Sequence, residues 1–377
     1  MSKNIKLSLL LIATMGIMSG ITIVSSLPLM SRTFSDIPNI EFLSKMMLTI
    51  PSIIIAMFAP VAGILVDRYG RLKPLYVGMV LFVAGGSSGF YLDNFYYILI
   101  GRAILGIAVA LLMTSSTALI GDYYDEDERH KFMSLQGMSV AIGGIVFITA
   151  GGFLAEWHWS YPFAIYALPL LFMPMLYLSL YEPTVYKHTT IDGGIDRSLL
   201  SVYITASFSM ILFYMLPTQL PYLIINTMHG DPKTIGFIIS ISMVFNAITA
   251  RQYGRLKNRF SYMQIYIFTF AIFGIGLFII SQADDISQLF YSTIFIGMGF
   301  GLIFVNTNSW FLSRVAPQKR GKASGILASS FFIGQFSSPL IFEPIVNIYG
   351  IQGLFFIISL VSISISIVLL IRRLYIR

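Results

Sequence analysis

Charged residues are few in this chain and they are gathered. Only 11% of the 377 residues are Asp, Glu, Lys or Arg, yet the stretch "GILVDRYGRLK", from Gly63 to Lys73, places Asp67, Arg68, Arg71 and Lys73 at the end of a long apolar run. An acid among bases can build a switchable ion-pair cluster. Asp67 can accept hydrogen bonds from a helix N-terminus, where the dipole favours an anion, while Arg68 and Arg71 can pair with carboxylates or helix C-termini. Gly63 and Gly70 permit close helix approach and a tight turn. Marking one membrane face needs Lys or Arg alone, so the added acid favours a latch. Arg102 is the second group with chemistry to do, because it is the one basic residue set inside an apolar run. A cation at that depth costs several kcal/mol unless it is paired or hydrated, and is by default a functional residue. Two placements are open: hydrogen bonds to polar atoms of the first apolar run (Thr14, Ser19, Thr22, Ser25, Ser26), or snorkelling to a nearby interface.

Polar groups in other apolar runs suggest a binding cavity. In "YMLPTQLPYLIINTM", Pro217 and Pro221 interrupt the helix ladder around Gln219, which frees backbone carbonyls next to Tyr222. In "FVNTNSW", Asn306 and Trp310 are four apart and share a helix face, with Asn308 between them. Both sets are read as substrate-cavity candidates, with polar packing between helices as the alternative for the asparagines. Gly143, Gly144, Gly151 and Gly152 crowd one run and allow close backbone approach or a hinge. The four histidines are scattered, and there is no cysteine, phosphate loop, nucleophile elbow or metal-ligand spacing. Neither an enzyme nor a metal or other cofactor is expected.

The elements that must position these groups are membrane helices. Hydrophobic residues make up 56% of the chain and mean hydropathy is +0.80, which sets the lipid bilayer as its solvent. Twelve spans are expected, at about 7–30, 45–66, 74–92, 95–121, 131–155, 160–181, 198–226, 234–254, 262–282, 286–312, 323–345 and 350–371. Of the 24 Lys and Arg, twenty fall in one alternate set of connections and three in the other, the last being Arg102. This positive-inside pattern puts both termini in the cytoplasm and explains the net charge of +7 without nucleic acid. The halves also repeat. An offset of 191 carries Gly63, Leu65, Arg68, Gly106, Arg129 and Lys131 onto identical residues, and Asp67 onto Asn258. The expected domains are therefore a six-helix half at 1–185, a linker at 186–197 and a six-helix half at 198–377.

With motif, span number and side in agreement, the sequence resembles the major facilitator superfamily and its twelve-helix drug:proton antiporter branch. "GILVDRYGRLK" matches the superfamily's loop 2–3 pattern G-x-L-x-D-R-x-G-R. "RAILGIAVA", from Arg102, is similar to the fourth-helix pattern of proton-coupled members, and "GGIVFITAGGFLAEWHW" resembles the fifth-helix antiporter motif. That last stretch departs from the motif, with Thr149 and Ala150 where Gly-Pro is usual. The resemblance implies an all-α membrane protein with the major facilitator fold, two pseudo-symmetric six-helix bundles around a cavity lined by spans one, four, seven and ten. It implies a gating role for Gly63, Asp67, Arg68, Gly70 and Arg71 against the start of span eleven near Arg320 to Ala323, and a proton-coupling role for Arg102. The implied function is proton-coupled efflux of amphiphilic small molecules by a monomer in the cell membrane. A dedicated exporter of a metabolite such as a metallophore or sugar is the alternative. No coupling carboxylate is identified: Asp36, Glu41, Asp122, Glu156 and Glu343 all sit near span ends.

Overall fold

The computed structural model describes residues 3–183, 197–315 and 320–375, and within these the chain is helical with no strand. Its helices are α1 (Lys3–Ile21, continued after a tight turn by the short helix Leu27–Thr33), α2 (Ile40–Tyr69), α3 (Leu72–Gly86), α4 (Phe95–Tyr123), α5 (Glu126–Trp157) and α6 (Pro169–Ser179, preceded by the 3-10 turn Tyr161–Ala167). There follow α7 (Leu200–Tyr222), α8 (Pro232–Lys257), α9 (Tyr262–Ser281) and α10 (Ile286–Arg314). The last element, Arg320–Tyr375, is two helices, α11 and α12, separated at Gly350, whose φ of 72° and ψ of 174° are non-helical. Ten elements are long and apolar enough to cross a membrane; the shorter α3 and the division at Gly350 bring the described spans to the expected twelve. Large apolar side chains such as Met57, Leu171 and Leu178 are exposed on the outer faces of these helices, which hydrocarbon, not water, accommodates.

The chain divides into two compact units, Met1–Thr190 and Ile191–Arg377. Of the expected linker, residues 186–196 lie outside the described residues. Within each unit the sequence repeat is a repeat of contacts. α4 packs against α2 and α3 as α10 packs against α8 and α9. A Cβ on Gly106 would stand 2.7 Å from the Pro51 carbonyl; Gly297, 191 residues on, presses in the same way against the carbonyl of Ser242, which is Pro51 shifted by 191. A Cβ on Gly85 would lie 2.6 Å from the Gly101 oxygen and 2.9 Å from the Leu105 nitrogen. On Gly276 the corresponding distances, to Ser292 and Ile296, are 3.0 and 3.1 Å. Glycine is retained at these sites because two backbones touch there, as small residues allow in helices that pack within lipid.

Candidate functional site

The turn after α2 is built by Gly70, whose φ of 88° suits glycine alone. It delivers Arg71, buried to 7% exposure, into a set of acceptors. Arg71 Nε donates to Asp122 Oδ2 at 2.9 Å, and one terminal nitrogen donates to Asp67 Oδ1 at 3.1 Å and to the Val66 carbonyl at 3.2 Å. Burial works against the guanidinium's charge, but the hydrogen bond and charge of Asp122, then those of Asp67, outweigh it and hold Arg71 above the ordinary arginine range. Asp67 itself is 77% exposed at its side chain and Arg68 is exposed beside it, stacked on the Tyr69 ring at 5.4 Å. Gly63 differs from expectation: a Cβ there would meet nothing within 4 Å, so no close helix approach depends on it. The start of α11, expected to face Asp67, includes Arg320, Gly321 and Lys322, whose side chains lie outside the described residues.

One member of this cluster escaped the sequence reading. Glu182, just past α6, accepts the backbone N–H of Arg71 at 2.5 Å and that of Leu72 at 2.9 Å, and so caps α3 from a distant part of the chain. A Cβ on Gly70 would approach its carboxylate to 2.7 Å, which gives Gly70 a second reason to be glycine. Tyr123 anchors the arrangement, taking the Tyr181 N–H at 3.0 Å and returning its hydroxyl to the Tyr181 carbonyl at 2.5 Å. The only sequence signal for this was an isolated acid closing an apolar span, and its partner lies more than a hundred residues away.

Arg102 is fully buried, which excludes the snorkelling placement. Its Nε donates to the Met47 carbonyl at 2.8 Å, its two terminal nitrogens to the Tyr166 hydroxyl at 3.0 Å and the Ser19 carbonyl at 2.6 Å. Local sequence explains both carbonyls. Met47 lies four residues before Pro51, which has no N–H to offer it. Ser19 lies in the final turn of α1, where carbonyls lack helical donors and the helix dipole is negative. The buried cation is thus held by backbone left unsatisfied at a proline and at a helix end, and by no carboxylate. Tyr166 also donates to the Ser19 oxygen at 3.3 Å, and its ring fits because Gly86 has no Cβ, which would stand 2.7 Å away. Expectation had named span one for these contacts. The bonding atom is a backbone oxygen of Ser19, not one of the hydroxyls.

Among the glycines of α5, Gly151 is pressed against the Thr22 carbonyl at the bend of the first span, and Gly143 would meet Thr14 at 3.1 Å with a Cβ added; Gly144 and Gly152 are buried. In α7, Gln219 is fully buried with neither its amide nitrogen nor its oxygen bonded, and Tyr222 is buried one turn on. Asn306 is engaged already: its oxygen accepts from Tyr253 at 3.0 Å, and its nitrogen donates to the Tyr262 carbonyl at 3.1 Å, which ties α8, α9 and α10 together. Asn308 bonds back to Phe304 of its own helix at 2.9 Å. Trp310 packs on the cluster around Leu199 and Tyr203, edge-on to Tyr266 and under Arg314 at 4.9 Å. Asn306 and Trp310 therefore share a helix face as the spacing predicts, and the asparagine follows the packing alternative. Among the described residues no group of three or more His, Asp or Glu is placed to hold a metal.

A helical membrane protein of two internally repeated units, each with a loop 2–3 cluster or its remnant and one with a buried arginine, is a solute carrier in design. The Major Facilitator Superfamily profile matches residues 8–200 and 202–376, and the chain belongs to that family of transporters. The chain is 26% identical over 305 residues to Multidrug resistance protein 2 of Bacillus subtilis strain 168, covering 74% of each. It is 23% identical over 310 residues to Quinolone resistance protein NorA of Staphylococcus aureus strain COL, covering 77% of each. Among solved structures it is similar to a D-xylose-proton symporter, with a TM-score of 0.79 at 18% identity over 97% of this chain and 96% of that one. It is also similar to a bacterial homologue of the human lysosomal transporter Spinster, with a TM-score of 0.75 at 16% identity over 97% and 94%. These two likenesses speak to the fold.

Proposed function

We propose that this transporter exports amphiphilic small molecules across the cell membrane in exchange for protons, as a monomer with both termini in the cytoplasm. It would work by alternating access, its substrate site opening to one side of the membrane at a time. The observation that carries the reading is the likeness, over three quarters of both chains, to proteins named for multidrug and quinolone resistance. Twenty basic residues on one set of connections support the orientation.

In this reading Asp67, Arg68 and Arg71, set by the turn at Gly70, hold the cytoplasmic side closed in one state and release it in the other. Arg71 is anchored within its own unit by Asp122, which leaves the exposed Asp67 carboxylate available to a moving partner. Arg102 is the proton-coupling candidate, a fixed positive charge held by the Met47 and Ser19 carbonyls and the Tyr166 hydroxyl. Gln219 beside Tyr222 offers the substrate an amide with no competing partner, while Asn306 serves the scaffold and Asn308 and Trp310 border it.

A dedicated exporter of an endogenous metabolite is the second reading, and one observation favours it. No Asp or Glu lies in the middle of any described span, so nothing there selects a cation over a neutral or zwitterionic solute. Inside-out vesicles with an acidic interior separate the two. Collapse of the proton gradient by lipophilic cationic drugs, present with the wild type and reduced in Asp67→Asn, supports drug–proton exchange. Silence across such a panel with folded protein, together with a response to a cell extract, moves the assignment to a dedicated metabolite.

A further inference from the structure

The duplication brings out a difference between the units. The three acids that serve loop 2–3 in the first unit, Asp67, Asp122 and Glu182, correspond in the second, by the offset of 191, to Asn258, Ser313 and Arg373. Arg71 itself corresponds to Tyr262, whose hydroxyl lies 3.3 Å from the Ser309 carbonyl, a neutral contact where the first unit has an ion pair. Cations have meanwhile been added: Arg251 and Arg255 stand where the first unit has Pro60 and Ile64, and Arg259 matches Arg68.

These three arginines are exposed, and among the described residues none meets a carboxylate. Arg255 bonds only the neutral Gln252 oxygen, at 3.1 Å. The acids in the described part of the second unit are Asp231, Asp284, Asp285 and Glu343. Asp231 and Asp285 cap the N-termini of α8 and α10, and Asp231 therefore lies at the far end of the helix whose last two turns carry Arg251 and Arg255. Arg251 and Arg255 are one turn apart, a spacing at which like charges repel. The helix C-terminus offsets part of that repulsion. Lys257 is already placed over the Tyr262 ring at 4.1 Å. Beside the cluster, Phe260 and Phe268 meet edge to face at 5.2 Å, and Phe268 is 44% exposed. A cationic rim next to an exposed ring at the end of a membrane span complements a phosphate attached to a hydrocarbon chain, and the guanidinium fork matches phosphate oxygens.

We propose that Arg251, Arg255 and Arg259 bind the headgroup of an anionic phospholipid, which supplies the counter-charge that the described residues of the second unit do not. Sidedness alone, served by any scattered Lys or Arg, does not require like charges one turn apart.

The test is the melting temperature of full-length protein in nanodiscs of phosphatidylcholine, with and without phosphatidylglycerol, for the wild type and for R251Q/R255Q/R259Q. The wild type is expected to melt several degrees higher with phosphatidylglycerol, with the rise fading at high salt. The triple variant is expected to melt with the wild type in phosphatidylcholine and to show no rise. An equal rise in the variant would place the lipid elsewhere, and no rise in the wild type would remove the site. A lower melting point of the variant in phosphatidylcholine would show that the arginines serve internal contacts. Inorganic phosphate reproducing the rise in phosphatidylcholine discs would mean that a free anion, not a lipid, is bound. Each of these four results overturns the proposal.

Discussion

Arg102 Nε lies 2.8 Å from the carbonyl oxygen of Met47, the carbonyl that Pro51 leaves without its helical donor. The proline and the arginine, on different helices, complete one hydrogen-bond account, and the same guanidinium closes the end of α1 at Ser19. A planar fork can serve acceptors on three helices; an ammonium cannot do so in the same geometry. Arg102→Lys is therefore expected to destabilise the protein by about 2 kcal/mol, the scale of losing a charged hydrogen bond, and to reduce transport sharply. Tyr166→Phe, which removes one acceptor and leaves a buried N–H unmet, is expected to cost about 1–3 kcal/mol. Thermal unfolding in detergent, with transport measured in vesicles, checks both.

Asp67 and Glu182 sit in one cluster and should behave differently. The exposed Asp67 side chain contributes little to stability, as exposed pairs do. Asp67→Asn should melt close to the wild type yet transport poorly, and wild-type transport in this variant would exclude the latch.

Glu182 caps two backbone N–H groups. Glu182→Ala should lower stability by about 1–2 kcal/mol, while Glu182→Gln, which keeps one acceptor oxygen, should fall between. Equal melting of all three proteins would show that the cap carries no weight.

Two glycines of similar appearance in the sequence should respond in opposite ways to Ala. At Gly151 the new methyl meets the backbone of Thr22, which has no side chain to move aside, and overpacking of that kind costs about 1–3 kcal/mol. At Gly63, inside α2 with open space around it, Ala should stabilise by up to about 1 kcal/mol through helix propensity. Melting temperatures of the two variants give the answer directly.

Asp231 gives stability a pH dependence on the side opposite the basic loops. Burial raises its proton affinity, but the hydroxyl and N–H of Thr234 and the charge of Lys233 outweigh this and hold the carboxyl below the usual aspartate range. Because the folded value is the lower one, the contribution is present above the unfolded value, about pH 4, and is lost as pH falls through the folded value. Melting curves of the wild type should decline more steeply than those of Asp231→Asn as pH falls below about 4. Parallel declines would show that the cap does not sense pH.

Composition and charge placement alone determined that this chain is a bundle of membrane helices, how many there are, and that its halves repeat. Lipid leaves few alternatives: an apolar run of about 20 residues must satisfy its own backbone, and its length and flanking charges are local properties. The loop 2–3 motif was legible for the same reason, since Asp67, Gly70 and Arg71 lie within five residues of one another. Tertiary structure decided the partners. That Arg71 binds Asp122, that Glu182 caps α3, that Arg102 takes the Ser19 carbonyl and not the hydroxyls of the first span, and that Asn306 is consumed by Tyr253 and Tyr262 all depend on which helices meet and at what height. Spacing along one helix fixes which residues share a face, as with Asn306 and Trp310; it does not say which helix, or whether open space, stands opposite. Gly151 and Gly63 differ in nothing but that opposing surface.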